Sequence, residues 1–165
     1  MRSCLPMTRR DDVKCRLLRG LGEVRFEKGV FKYLQGEISA YFAGACVNFS
    51  EDTPIVINCE SLFAQRVLRA CRDISYGNTM SYGEVARRTG AAGGGRAVGG
   101  VLAKNPLPLI IPCHRVTCAN GRLGGFSPVR DGQAHAAGGI RLKKRMLELE
   151  NVEPRVFSLK THFLR

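Results

Sequence analysis

The sequence contains no tryptophan, no long apolar run and few acidic side chains. Its 14 Asp and Glu are outnumbered by 26 Lys and Arg, which gives a formal net charge of +12. The longest strongly apolar run, residues 107–112, is far too short to span a bilayer. Residues 1–16 are charged and lack the apolar stretch of a secretory signal. We therefore expect a soluble cytoplasmic protein without membrane contact. Its positive charge favours nucleic acid as a partner, ahead of an anionic membrane surface, unless it forms only a solvated basic surface.

The cysteines also lack the patterns that would pair them or bind a metal. Their number is odd, no two form a CxxC motif, and no histidines stand at zinc-ligand spacing. We expect neither a disulfide framework nor a metal site, and we expect most thiols to be small buried side chains. The cysteines are Cys4, Cys15, Cys46, Cys59, Cys71, Cys113 and Cys118. Only Cys113 has neighbours that argue for reactivity.

Hydrophobic spacing predicts two helices in the first half of the chain. The first runs from Val30 to Phe42 and ends near Gly44, and the second covers Phe63 to Cys71. Earlier residues give weak signals, with a short strand conceivable at 24–26, and a subdomain boundary is expected near residue 60. The length suits one core or two small subdomains packed together.

A helix-turn-helix is predicted after residue 80. Ser81 and Glu84 have the spacing of a capping box, which starts a helix through Arg88. The glycine run 93–95 breaks it, and a second helix over 96–104 stops at Asn105-Pro106. Two short helices joined by a turn also occur in helical domains that do not bind DNA. The small residues of the second helix permit close approach of another helix or a phosphate backbone.

The apolar run Leu107–Pro112 reads as an edge or irregular strand that delivers Cys113 at its end. His114 and Arg115 supply electropositive surroundings that favour the nucleophilic thiolate. In extended chain His114 points away from Cys113, so a bridging water or a local turn is required. An ordinary buried cysteine beside a histidine is the alternative interpretation.

The run Ile111–Val116 resembles the active-site signature of the O6-alkylguanine-DNA alkyltransferases, also called methylated-DNA-protein-cysteine methyltransferases. The resemblance spans residues 31–150 in family order, through 81–82, 96–100, 105–106, 124–127 and 138–150. It implies an α+β fold, with a small N-terminal α/β subdomain containing a short antiparallel sheet and a mainly helical C-terminal domain containing the helix-turn-helix and the cysteine. The expected divisions are 1–59, 60–152 with an inserted loop near 128–137, and a tail at 153–165.

The resemblance implies repair of DNA by direct damage reversal. An alkyl group would pass irreversibly, once per protein molecule, from O6-alkylguanine in double-stranded DNA to Cys113, with O4-alkylthymine a second candidate substrate. The base is flipped out, no cofactor is needed, and the family expectation is a monomer without an obligate protein partner.

The resemblance also assigns the catalytic residues. Cys113 accepts the alkyl group and is activated through a water by His114, which Glu150 orients. Asn105 ties the helix-turn-helix to the active-site segment. Tyr82 turns the target phosphate and donates a proton toward the departing guanine.

The remaining assignments concern DNA and the pocket. Arg96 takes the place of the flipped guanine, and its helix lies in the minor groove. The expected DNA contacts are Tyr82, Arg96, Ala97, Gly99, Gly100 and Arg115. Val116, Phe126 and Ser127 surround the base, with Phe126 standing where tyrosine is usual, so stacking is kept and a tyrosyl hydroxyl contact is absent.

The sequence departs from the family in about ten extra residues after Ser127, which form an exposed loop or cover the alkyl-binding space. Two other functions compete with the transferase. One is a lesion-binding protein like the alkyltransferase-like proteins, which lack the acceptor cysteine, so Cys113 argues against it. The other is a cysteine-histidine hydrolase, for which no substrate pocket is evident.

Overall fold

A computed structural model describes residues 31–49, 55, 61–126 and 136–152. It combines helices with one small sheet. The elements in chain order are α1 Lys32–Phe42, α2 Leu62–Arg72, β1 Met80–Ser81, α3 Tyr82–Arg88, α4 Gly95–Leu102, a 3-10 turn at Cys113–Arg115, β2 Val116–Thr117 and α5 Ala136–Leu149. No helix in this part of the chain is long and apolar enough to cross a membrane.

The two helices predicted in the first half are confirmed as α1 and α2. Gly44 follows α1 with a φ of 92°, a conformation that glycine adopts without steric cost. Helix α2 buries Val67, Leu68 and Cys71 and packs against α3 and α4. Both helices therefore exist because one face of each is buried in the common core.

The predicted helix-turn-helix is also confirmed, as α3 and α4. The Ser81 hydroxyl accepts from the Glu84 amide at 3.1 Å, and the Glu84 carboxylate accepts from the Ser81 amide at 2.7 Å, which is the capping box. Gly93, with a φ of 79°, lies in the turn before α4. The buried side chains of Val85 and Val98 join the two helices to the core.

The sheet differs from the expectation. Strands β1 and β2 pair in parallel, with Met80 opposite Val116 and Ser81 opposite Thr117. The antiparallel sheet predicted for the N-terminal subdomain is thus not supported, and most of residues 1–59, including the strand considered at 24–26, lies outside the described residues. Because β2 directly follows the 3-10 turn, the parallel pairing joins the start of the helix-turn-helix to the segment that carries Cys113.

The segment 107–112 is a tight turn, and the prediction of a strand there is wrong. The Ile111 amide donates to the Leu107 carbonyl at 2.9 Å, and Leu109 has a φ of 81°, which is unfavourable for a side chain with a Cβ. The two prolines explain the difference, because each removes a backbone donor that a strand would need.

Candidate active site

Cys113 lies at a pocket between the helix-turn-helix and the loop that follows β2. The thiol is 7% exposed, and the cavity has a volume of about 620 Å³. The lining residues are Tyr82, Gly93, Gly95, Arg96, Gly99, Leu102, Ala103, Asn105, Pro108, Cys113, Cys118, Gly124, Gly125 and Phe126. Five residues predicted for catalysis, DNA contact or the pocket therefore border one cavity with Cys113. These are Tyr82, Arg96, Gly99, Asn105 and Phe126.

Asn105 holds the turn that precedes Cys113. Its Nδ2 donates to the Ile111 carbonyl at 2.8 Å, and its Oδ1 accepts from the Leu107 amide at 3.0 Å. Burial raises the pKa of the Cys113 thiol, while the Asn105 side chain, Lys143 and the backbone amides of Cys113 and His114 act in the opposite direction. Asn105 therefore supports both the backbone of the segment and the charge of its sulfur.

His114 and Glu150 form a buried pair behind Cys113. Nε2 of His114 lies 2.7 Å from Oε1 of Glu150, and the two residues are each 1% exposed. A carboxylate only accepts, so we assign the ring proton to Nε2, which makes Nδ1 the acceptor of the neutral imidazole. Among the described residues Nδ1 has no hydrogen-bond partner, although it is buried. A free acceptor in this position suits a water that bridges to the thiol.

The pKa values of His114 and Glu150 are both lowered, but by different interactions. Burial lowers the pKa of His114, against the effect of the Glu150 carboxylate, so the imidazole is neutral at neutral pH. Burial alone would raise the pKa of Glu150, but hydrogen bonds from His114 and Arg115 outweigh it and lower that pKa to about 2. The pair at rest is a neutral base held by a charged carboxylate.

Arg115 is not available for the DNA contact predicted for it. The residue is 4% exposed, Nε donates to Glu150 Oε2 and Nη2 to Oε1, both at 2.9 Å, and Nη1 donates to the Ile74 carbonyl at 2.6 Å. The prediction is wrong because the guanidinium is buried, where it is stabilised by the Glu150 carboxylate and is not accessible to a phosphate. The guanidinium therefore neutralises Glu150 instead of a phosphate.

Lys143, which the sequence reasoning passed over, supplies the cation near Cys113. This residue of α5 is fully buried, and its Nζ donates to the Val116 carbonyl at 2.6 Å. Burial lowers the pKa of Lys143 to about 8, against the effect of Cys113, Cys118 and Cys71. The electropositive surroundings expected from His114 and Arg115 thus come from Lys143 instead. The signal available in the sequence was its spacing of four residues from Leu147, which places both residues on one face of a helix.

Tyr82 and Phe126 form aromatic walls that Lys143 also contacts. Nζ lies 5.6 Å from the Tyr82 ring centroid and 5.8 Å from that of Phe126. The Tyr82 hydroxyl donates to the Gly125 carbonyl at 3.2 Å, and burial raises the pKa of Tyr82 to about 12. This hydroxyl stays protonated at neutral pH and can therefore act as a donor.

The residues predicted to contact DNA or to surround the base differ in their exposure. Arg96, Ala97 and Gly100 lie exposed on α4, and no heavy atom stands within 4 Å of a Cβ built on Gly100. Gly99 instead faces the Tyr82 ring. Val116 is fully buried and is not among the lining residues, although its carbonyl accepts from Lys143, while Ser127 lies outside the described residues.

Tyr41 of α1 is a second residue that the sequence reasoning did not single out. It was grouped with the core aromatics of its helix, and it is indeed 1% exposed. Its hydroxyl, however, donates to Glu150 Oε1 at 2.9 Å, a partner 109 positions away in the chain. No local pattern could have revealed that contact. The described residues contain no cluster of three or more metal-binding side chains.

A cysteine at a pocket beside a helix-turn-helix, backed by a histidine-carboxylate pair, is the arrangement of a DNA-directed cysteine protein. Comparison with known families agrees, because residues 62–152 match the family described as 6-O-methylguanine DNA methyltransferase, DNA binding domain. The chain belongs to this family.

Individual relatives carry related names. The methylated-DNA-protein-cysteine methyltransferase of Mycobacterium leprae is 40% identical over 124 residues, which is 75% of this chain and 67% of the relative. The protein of the same name from Metallosphaera sedula is 39% identical over 132 residues, which is 80% of this chain and 72% of the relative. The chain thus spans roughly two thirds of the length of such relatives.

Solved structures agree as well. The Mycobacterium tuberculosis OGT in complex with DNA has a TM-score of 0.56 at 39% identity, over 73% of this chain and 66% of that one. The O6-methylguanine-DNA methyltransferase of Pyrococcus kodakaraensis has a TM-score of 0.64 at 24% identity, over 88% of this chain and 83% of that one. This last similarity concerns the fold alone.

Proposed function

We propose that this protein repairs alkylated DNA by transferring the alkyl group from O6-alkylguanine to Cys113, once per molecule and irreversibly. The observation that carries the proposal is that Cys113 opens on a pocket of about 620 Å³ bordered by α4 of the helix-turn-helix. O4-alkylthymine is a second substrate in this proposal. The protein acts in the cytoplasm as a monomer on double-stranded DNA, and the chemistry needs no cofactor.

The proposed chemistry is a displacement at carbon. His114 Nδ1 takes the thiol proton of Cys113 through a bridging water, and the Nε2 proton keeps its bond to Glu150, which stabilises the imidazolium. The sulfur then attacks the alkyl carbon, a carbon-sulfur bond forms, and the bond from carbon to guanine O6 breaks. The electron pair stays on the guanine, and the Tyr82 hydroxyl stabilises that negative charge by donating a hydrogen bond. The guanine then takes a proton from solvent, and the imidazolium of His114 returns its proton to solvent. The resulting thioether cannot be hydrolysed, so the protein is consumed.

Lys143 assists this displacement in our proposal. It lies among Cys113, Cys118 and Cys71, and among the residues described no carboxylate forms an ion pair with it. A buried ammonium without an acidic partner stabilises a thiolate when one forms nearby. Transfer therefore starts from a thiol that is neutral at rest and becomes charged when His114 takes its proton, while Lys143 stabilises the thiolate that forms.

DNA would reach the pocket across α4. Its exposed Arg96, Ala97 and Gly100 are one charged and two small residues, which lets the backbone of the helix approach a groove closely. Arg96 also lines the pocket, so it can occupy the space that a flipped base leaves. In this proposal residues 60–152 are the DNA-binding alkyltransferase domain, 1–59 a reduced N-terminal subdomain and 153–165 a tail.

The test is the mass of the intact protein after incubation with a duplex carrying one O6-methylguanine. We expect one added methyl group per molecule, and trypsin cleavage after Arg115 separates the peptide of Cys113 from that of Cys118. Cys113→Ser should abolish transfer and keep lesion binding, whereas Cys46→Ser, at an exposed thiol, should transfer normally. Lesion binding without added mass would indicate a binding protein, and release of the alkyl group with regenerated thiol would indicate a hydrolase.

A further inference from the structure

Tyr41 reaches the proposed active site from outside the segment that matches the family. It lies on α1, whereas the match covers residues 62–152. Its buried hydroxyl is 2.9 Å from Glu150 Oε1 and 3.4 Å from His114 Nε2. The same carboxylate oxygen therefore receives Tyr41 and His114 together.

Glu150 is crowded with donors. Oε1 accepts from His114, from Arg115 Nη2 and from Tyr41, while Oε2 accepts from Arg115 Nε and from the Gly77 amide at 3.2 Å. A carboxylate offers about four lone-pair sites, so these donors compete for its charge. A donor added to Oε1 weakens the attraction of that oxygen for the imidazole proton of His114.

Packing alone does not account for Tyr41. Its ring contacts Phe42, Phe49 and Tyr76 with centroid separations of 5.3, 5.7 and 6.4 Å, and a phenylalanine would make those contacts equally well. The hydroxyl costs free energy to bury unless it is bonded. Its shortest hydrogen bond is the one to Glu150. The hydroxyl that distinguishes Tyr from Phe at this position therefore acts mainly on that carboxylate.

We propose that Tyr41 is a positioning residue for alkyl transfer: its hydroxyl fixes Glu150 and limits the pull of that carboxylate on His114, so α1 sets the pH range in which Cys113 is activated. This inference rests on the proposed function.

The direction of the effect follows from the charged groups around the pair. Arg115 from the 3-10 turn and Lys143 from α5 disfavour a proton on His114, Glu150 favours it, and Tyr76 faces Glu150 from the loop after α2. Removing the Tyr41 hydroxyl leaves these groups in place and concentrates negative charge on Oε1. The pKa of His114 should then rise. Because His114 acts as a base when neutral, the acid limb of the rate profile should move to higher pH.

The test compares Tyr41→Phe with Tyr76→Phe in the full chain. The control removes a hydroxyl that donates to the Leu149 carbonyl at 2.8 Å, a backbone group rather than the carboxylate. Two quantities are measured: the pKa of His114 by NMR of labelled histidine without DNA, and the single-turnover rate on the methylated duplex against pH. We expect Tyr41→Phe to raise the pKa of His114 and to shift the acid limb equally. Transfer should then slow about threefold to tenfold at a pH on that limb and change little on the plateau, where His114 is already neutral. The control removes no hydrogen bond to the carboxylate, so it should change both quantities much less than Tyr41→Phe does.

Replacing Tyr41 by 3-fluorotyrosine gives a second variant that keeps the hydroxyl and makes it a stronger donor. We expect a shift of the His114 pKa opposite in sign to that of Tyr41→Phe. A lower melting temperature in Tyr41→Phe, with the His114 pKa and the acid limb unmoved, would overturn the proposal and leave Tyr41 a packing residue. If Cys113 of the wild type accepts no methyl group, the proposed function is refuted. The effect of Tyr41 is decided separately, because the NMR comparison needs no substrate.

Discussion

Replacing Glu150 by Gln should destabilise the protein by about 3 kcal/mol at neutral pH, which is at the upper end of the usual effect of a point substitution. The substitution keeps the size of the side chain and removes its charge. Arg115, which is 4% exposed and bonds to both carboxylate oxygens, would then keep a buried charge without a negative charge to neutralise it. Breaking a buried ion pair from one side costs about 3 to 5 kcal/mol for this reason.

The pKa of Glu150 gives an independent magnitude. A lowering from 4.5 to about 2 means that the folded state prefers the ionised carboxyl, and at about 1.4 kcal/mol per unit this preference is worth about 3 kcal/mol. Because the pKa is lowered on folding, the contribution is complete above pH 4.5 and is lost as the pH falls through about 2. The stability difference between wild type and variant should shrink over that window.

Urea unfolding at neutral pH and at a series of lower pH values measures this difference. Glu148→Gln is the matched control, because Glu148 is 49% exposed and pairs with Lys144 at 3.5 Å on the surface of α5. Such an exposed pair contributes about 0 to 1 kcal/mol. Equal effects of the two substitutions at neutral pH, or a Glu150→Gln effect that does not decline with acid, would refute the reasoning about the buried cluster.

Three further predictions concern neighbouring positions. Asn105→Ala should lower the free energy of unfolding by about 1 to 3 kcal/mol, because it leaves the Ile111 carbonyl and the Leu107 amide without their side-chain partner, and urea unfolding measures this loss. The same substitution should raise the pKa of Cys113, which the rate of alkylation by iodoacetamide against pH measures. Gly124→Ala should destabilise by about 1 to 3 kcal/mol, since φ is 69° and the new Cβ would lie 2.8 Å from Tyr82 Cε2; an unchanged melting temperature would contradict it. Lys143→Met should slow iodoacetamide alkylation of Cys113. Between about pH 8 and 10.5 the lysine is neutral in the folded protein and still protonated in the unfolded chain, so the wild type should become more stable as the pH rises. Lys143→Met should remove this gain in stability.

Local signals predicted the helices and the turn between α3 and α4. Apolar spacing fixes which face of α2 is buried, and the Ser81-Glu84 capping box places the start of α3. The sheet was harder, because its strands are two residues long and no alternation can show in so short a run. Its parallel direction depends on a pairing between segments 36 positions apart.

In the candidate site, too, some residues could be predicted from the sequence and others could not. The segment that carries Cys113 could be read from the sequence, and the family resemblance suggested Glu150 as the partner of His114, whose 2.7 Å contact spans 36 positions. The contact of Tyr41 with Glu150 spans 109 positions and depends on how α1 packs, which no local pattern encodes. Arg115 was misread because a basic residue beside a reactive cysteine is equally compatible with a phosphate and with a buried carboxylate.

The two buried cations show how charge is divided in this core. Arg115 is bonded to both oxygens of Glu150, so its charge is already compensated in the resting protein. Within the described residues Lys143 has a backbone carbonyl as its hydrogen-bond partner, its charge interacts with three thiols, and no carboxylate pairs with it, so a thiolate would compensate its charge. A protein gains nothing in stability from an uncompensated buried ammonium. The cost of Lys143 in the folded state therefore becomes an advantage when the thiol loses its proton, because negative charge then develops on Cys113 and the ammonium stabilises it.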